Sequence, residues 1–168
     1  MARKLSRLAL LALLPVSMLA ACGDDPVSVA QAEAEPAAAR GAMLLVVVHK
    51  TEACGCCEAW VTHMKRAGFP VEVRNVDNLD AIKERVGVPY AKGSCHTAEV
   101  GGYFVEGHVP ADDVKRLLAE KPRARGLTVP GMPAGSPGME VPDGTVAPYD
   151  VELVAVDGST SIYAHHGP

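Results

Sequence analysis

Cys54, Cys56 and Cys57 crowd into Cys54-Gly55-Cys56-Cys57, between the apolar run Met43-Leu44-Leu45-Val46-Val47-Val48 and the stretch Glu58 to Gly68. The run is short and β-branched, which predicts a buried strand. Trp60, Val61 and Met64 recur at helical spacing and Gly68 supplies a stop, which predicts a helix. Three thiols therefore fall at a strand-to-helix turn, where first-turn N–H groups and the helix dipole favour thiolate, the form that attacks disulfides and binds metals. Cys54 and Cys57 alone form a C-x-x-C pair, which in this context reads as a thiol-disulfide oxidoreductase site with Cys54 the attacking thiol. Cys56 complicates that reading by offering competing disulfides. Three soft ligands this close suit Cu(I), and their crowding favours bridging thiolates with room for more than one ion. A structural disulfide with a spare thiol is the remaining alternative.

The rest of the 168-residue chain must position this turn. Arg3, Lys4 and Arg7 precede the apolar run Leu8 to Leu14, which is too short to span a bilayer, so residues 1–21 read as a secretory signal peptide. Leu19-Ala20-Ala21-Cys22 resembles a bacterial lipobox, which makes Cys22 the expected lipidated N-terminus and places the protein in the periplasm, anchored to a membrane. Residues 22–42 are rich in Ala, Glu, Pro, Asp and Ser and read as a flexible tether. Without residues 1–21, 13 of the 16 basic residues remain against 20 acidic ones, a formal charge of −7. No basic stripe is visible, so nucleic acid is not an expected partner. An oxidising compartment requires Cys54, Cys56, Cys57 and Cys95 to be disulfide-bonded, metal-bound or actively reduced.

Residues 43–168 carry the domain. Val71 to Val76 reads as a second strand and Leu79 to Val86 as a short helix stopped by Gly87, so that strand, helix, strand, helix predicts a βαβα unit with its first two strands parallel. Cys95 to Val100 and Tyr103 to Val109, joined by Gly101-Gly102, predict a hairpin, and Val114 to Lys121 an amphipathic helix. The pattern βαβα followed by ββα is an α/β, thioredoxin-like fold. Residues 122–148 read as a Gly/Pro-rich loop in which Gly126 to Glu140 is expected to be neither helix nor central strand. Val151 to Val156, Asp157-Gly158 and Ser161 to Ala164 predict a C-terminal β-hairpin extension.

Four motifs in order, Cys54-Gly55-Cys56-Cys57, Ser94-Cys95-His96-Thr97-Ala98, Glu106-Gly107-His108-Val109-Pro110 and Gly126 to Glu140, resemble the CopG-like family over about residues 44 to 166. That family comprises exported bacterial proteins associated with copper resistance and long catalogued as a domain of unknown function. The resemblance implies a periplasmic thioredoxin-like domain whose cysteines hold copper, and by position it carries over to Cys54, Cys56, Cys57 and Cys95. Copper efflux or chaperone proteins are then the expected partners, beside copper ions and the membrane.

His96 adjoins Cys95, and strand neighbours point to opposite faces, so both bind one centre only if the backbone turns there. His108 stands at a strand end, open to a ligand role or a structural hydrogen bond. Met132 and Met139 are thioether candidates for Cu(I), or gap-fillers. His49 reads as a strand-end residue, His63 as a helix-surface residue and His165-His166 as a solvated pair. Zinc is the alternative metal, in a structural site of Cys54, Cys57, Cys95 and His96.

Overall fold

The computed structural model describes residues 43–168. The expected signal peptide, the expected tether and Cys22 lie outside the described residues. Among those described, no helix is long and apolar enough to cross a membrane.

The elements run β1 (Val46–Lys50), α1 (Gly55–Arg66), β2 (Val71–Asn75), α2 (Asp80–Val86), β3 (His96–Val100), β4 (Tyr103–Glu106), α3 (Ala111–Glu120), β5 (Ala124–Thr128), β6 (Tyr149–Ala155) and β7 (Thr160–His166). All seven strands join one mixed sheet in the order β2-β1-β3-β4-β5-β6-β7. β1 and β2 pair in parallel, as the βαβ reading expects, and β3 runs antiparallel to β1. The β3–β4 hairpin closes on Gly101 and Gly102, with φ of 58° and 88°. Both values lie in the left-handed region that a two-residue hairpin turn demands.

Several predicted boundaries shift. The first strand starts at Val46 rather than Met43, leaving Leu44 and Leu45 half exposed. β5 is the larger correction, because Ala124–Thr128 is an interior strand, parallel to β4 and antiparallel to β6. Its Gly126 is not a turn residue. A Cβ there would lie 2.0 Å from the Phe104 carbonyl oxygen, so glycine permits a close approach of two backbones. The Gly/Pro loop proper begins after Thr128.

Trp60, Val61 and Met64 of α1 and Val114 and Leu117 of α3 share one core with Val46, Val48, Ala98, Val105 and Leu127 of the sheet. The Trp60 indole N–H donates to the Val109 carbonyl at 2.9 Å, and the Ala111 N–H donates to His63 Nε2 at 3.0 Å. His63 is thus a cap for the first turn of α3 rather than a helix-surface residue, and burial lowers its pKa. By contrast, α2 buries no side chain.

α2 is instead tied to the sheet by charge. Arg85 donates two hydrogen bonds to Glu99, at 3.0 and 2.7 Å, and His49 Nε2 lies 3.0 Å from the same carboxyl group. The Arg85 hydrogen bond, followed by that of His49, holds the Glu99 carboxyl at about 2 although partial burial opposes it. A carboxylate with a depressed folded pKa stabilises fully above its unfolded value of 4.5 and loses that contribution as pH falls toward 2. Arg85→Ala should therefore show thermal unfolding that is less steep in pH over this window. A constant offset from the parent protein between pH 2 and 7 would count against it.

Candidate metal centre

The geometry starts at the end of β1. Cys54 occupies the N-cap of α1, where its Sγ accepts from the Cys57 N–H at 3.3 Å, so Cys56 and Cys57 lie in the first helical turn. Cysteine here takes the place of the Ser or Asp that commonly satisfies an orphan helical N–H. Lys50, buried at the end of β1, donates to the Thr51 and Glu52 carbonyls and pairs with Glu58 at 2.8 Å, which fixes the turn before the cysteines.

Cys95 arrives from the other side, immediately before β3. The ligand atoms of Cys54, Cys56, Cys57 and Cys95 all lie within 4.8 Å of one another. Cys56 Sγ stands 3.5 Å from Cys54 Sγ and 3.6 Å from Cys95 Sγ. Cys54 and Cys57 are joined as a disulfide, while Cys56 and Cys95 are free. Both readings of the C-x-x-C pair thus meet at one place: an oxidised pair lies within a four-sulfur cluster. Burial pushes the Cys95 thiol up to about 12, with the adjacent Cys56 thiol adding to the rise. Cys95 sits outside the helix, away from the first-turn N–H groups of α1. An ion bound there must displace a proton.

The backbone turns between Cys95 and His96, and the His96 Nδ1 atom lies 3.4 Å from Cys95 Sγ. His108 Nε2 lies 3.1 Å from the same sulfur, with its Nδ1 atom 2.8 Å from the Pro137 carbonyl oxygen. His96 and His108 form a second group with Cys95 rather than joining the other three cysteines. Burial lowers both imidazoles, His96 to about 3, so both are neutral.

The Gly/Pro loop closes over this end. Its internal hydrogen bonds run from Gly135 N to Met139 O and from Ala147 N to Ala134 O, and Gly131 N donates to Gly93 O beside the Cys95 turn. Gly138, at φ 86°, rests on the first turn of α1, where a Cβ would meet Cys56 O at 2.7 Å and Trp60 N at 2.8 Å. Gly138→Ala should cost about 1–3 kcal/mol through left-handed strain and lift the loop from the helix. Denaturant melts check the cost, and a neutral result would mean that the loop is not seated there. Met132 is half exposed, and Met139 is partly buried next to Gly138. His165 and His166 pair at 2.6 Å with Asp150 and Asp113, respectively, far along the sheet on β7.

One supporting residue was not singled out from the sequence. Glu106, fully buried, accepts from the Ser94 N–H at 2.6 Å, from Thr97 Oγ1 at 2.7 Å and from Lys83 Nζ. It anchors the turn that delivers Cys95. An acid among the apolar residues of β4 was the available signal, since a buried carboxylate demands a cation and donors.

Residues 92–139, which carry Cys95, His96, His108 and the Gly/Pro loop, match the family described as protein of unknown function, DUF411. No curated protein matches the chain. Two solved structures do, one named copper resistance protein copG, form 2, at 44% identity and TM-score 0.70 over 74% of this chain and 98% of the other. The second, form 1 of the same name, is 43% identical with a TM-score of 0.71 over 75% of this chain and 99% of that one. Identity at this level across nearly the whole of the matched proteins, together with the cysteine cluster, shows that the chain belongs to the CopG-like copper-resistance family.

Proposed function

We propose that this chain handles copper outside the cytoplasm, holding Cu(I) in thiolates from Cys54, Cys56, Cys57 and Cys95. The observation that carries this reading is the mutual approach of the four sulfurs to within 4.8 Å. Four soft donors at that separation suit Cu(I) above harder ions, and sulfurs 3.5 to 3.6 Å apart are spaced to share ions between them. The relatives' name, copper resistance protein, supports copper as the cargo. The order β2-β1-β3-β4 with α1 leading from the cysteine turn supports a thioredoxin-like reading of the first half of the domain. In this reading Cys22 carries lipid and holds the domain at a bacterial membrane, where it stores copper or relays it to an efflux or chaperone partner.

The Cys54–Cys57 disulfide favours a second reading, thiol-disulfide exchange. The two connect chemically, because forming that bond passes two electrons and two protons from the dithiol to a partner disulfide, which leaves as two thiols, and withdraws two ligands from the cluster. Metal analysis of protein isolated from copper-grown cells, with its N-terminus mapped by mass spectrometry, tests the proposal. Copper bound above one equivalent on a chain starting at acylated Cys22 is expected. Stoichiometric zinc, or metal-free protein that turns over a model disulfide rapidly even as Cys56→Ala, would overturn it.

A further inference from the structure

We propose that the end of the sheet opposite the cysteine turn is a docking surface for an anionic phospholipid bilayer. β1 and β2 start at this end, the β3–β4 and β6–β7 hairpins turn there, and α1, α2 and α3 finish there. Among the described residues six large apolar side chains stand well out in solvent, and three of them collect here: Leu44 at 51% exposed, Leu45 at 48% and Val156 at 47%. They belong to one patch. Leu44 lies beside the β3–β4 turn, where a Cβ on Gly101 would meet its Cδ1 at 3.0 Å. Leu45 lines an open cavity of about 510 Å³ with Arg85, Arg125 and the Gly101-Gly102 backbone. Arg125 Nε donates to the Val156 carbonyl at 2.8 Å, which joins this cavity to the β6–β7 turn, and Arg123 flanks Val156 on the other side.

Charge at this end is opposite in sign to that of the domain. Lys65 and Arg66 in the last turn of α1, Arg85 in α2, Lys121 after α3, and Arg123 and Arg125 at β5 are all exposed. Against these six bases stand four acids, Glu84, Glu99, Glu120 and Asp157, and Arg85 holds Glu99 at 2.7 Å. Glu72, level with Glu99 across β1, is paired with Arg74 at 2.7 Å. Over residues 43–168 the balance runs the other way, twelve bases to sixteen acids, so the cysteine end carries the excess of acid.

Bases interleaved with exposed leucine and valine match a surface of anionic headgroups over hydrocarbon. The bases are drawn to the headgroups, and the apolar side chains enter the boundary beneath them. The cavity is of a size to take one headgroup, with the Arg125 guanidinium facing its phosphate. Chain connectivity favours a bilayer over an acidic protein, because residues 22–42 join the domain at this same end, where Met43 leads into β1. Lipid on Cys22, as proposed above, would bring a bilayer within reach of the patch, although the patch itself does not require it. Since β1 runs from the patch to the cysteine turn, a domain docked this way presents Cys54, Cys56, Cys57 and Cys95 to the aqueous phase.

Amide hydrogen exchange read by mass spectrometry tests this on the whole chain as isolated from cells, mixed with vesicles of phosphatidylcholine alone or containing about one-third phosphatidylglycerol. On the anionic vesicles exchange should slow at Leu44, Leu45 and the β6–β7 turn and stay unchanged at the cysteine turn. High salt should reverse the slowing. Lys121→Gln/Arg123→Gln should lower the ratio of docked to free protein by about fivefold per charge, about twenty-five-fold in all. Leu45→Gln should also lower it, with circular dichroism checking that both variants fold. Equal slowing on phosphatidylcholine alone, none on anionic vesicles, or full slowing in Lys121→Gln/Arg123→Gln overturns the proposal. So does equal slowing by soluble polyglutamate, which would assign the patch to an acidic protein, or slowing that grows with protein concentration without vesicles, which would assign it to a second copy. Failure of the lipidation reading looks different: the N-terminus would be unmodified by mass spectrometry, with exchange still slowed when anionic vesicles are added.

Discussion

Replacing Cys95 with Ala is expected to remove more Cu(I) than one ligand's share, and Cys54→Ala, Cys56→Ala and Cys57→Ala should each do much the same. Cys56 stands between Cys54 and Cys95 at 3.5 and 3.6 Å, so a thiolate that bridges ions there serves more than one of them. Groups acting within one connected site are not additive, and loss of any one should collapse the whole. Anaerobic titration of Cu(I) into the four reduced variants reads this out. The disulfide adds a second arm, since oxidation of Cys54 and Cys57 leaves two free thiols in the cluster. Oxidised protein should take up far less Cu(I) than reduced protein, and reductant should restore the difference. Independent stepwise losses, or equal uptake in both redox states, would show that the four sulfurs do not act as one site.

Lys83→Met should destabilise the fold by about 3–5 kcal/mol, the scale for removing one partner of a buried ion pair. Glu106 is fully buried, and burial pushes its carboxyl upward while Lys83 opposes that rise. Without Lys83 the carboxylate retains only Thr97 and the Ser94 N–H, too little to replace a cation. Glu106→Gln should cost less, because the Lys83 side chain reaches solvent and can be hydrated once its partner is neutral. Urea melts of both variants compare the two costs. The consequence extends to the site, since Glu106 also holds Ser94 and hence the approach of Cys95. If Lys83→Met melts like the parent, the pair contributes neither stability nor position.

Several elements were legible because their signals are local. Spacing of Trp60, Val61 and Met64 marks a helix face, and α1 buries those residues. Gly101-Gly102 marks a hairpin because only glycine tolerates positive φ at both positions without strain, and β3 and β4 meet there. β5 was not legible. Gly126 resembles a turn residue in sequence, and its actual requirement, the Phe104 carbonyl at its Cα, exists only once β4 lies beside it. His63 likewise reads as a surface residue until the first turn of α3 presents the Ala111 N–H to its ring.

The sequence by itself determined the chemical character of this protein: soft, crowded thiols at a strand-to-helix turn, with a further Cys-His pair and a second histidine downstream. Residue type alone specifies affinity for soft metals, and a spacing of four residues guarantees that Cys54, Cys56 and Cys57 stay close in any fold. Tertiary structure decided how those groups are divided. Sheet pairing of β1 with β3 brings Cys95 to the α1 turn across 38 residues, and no local rule encodes that distance. The bend before β3 and the Pro137 carbonyl on the overlying loop then turn His96 and His108 toward Cys95 and away from the other sulfurs. Side-chain direction depends on backbone path and on packing partners remote in sequence, which is why the residue types were readable from the chain and their grouping was not.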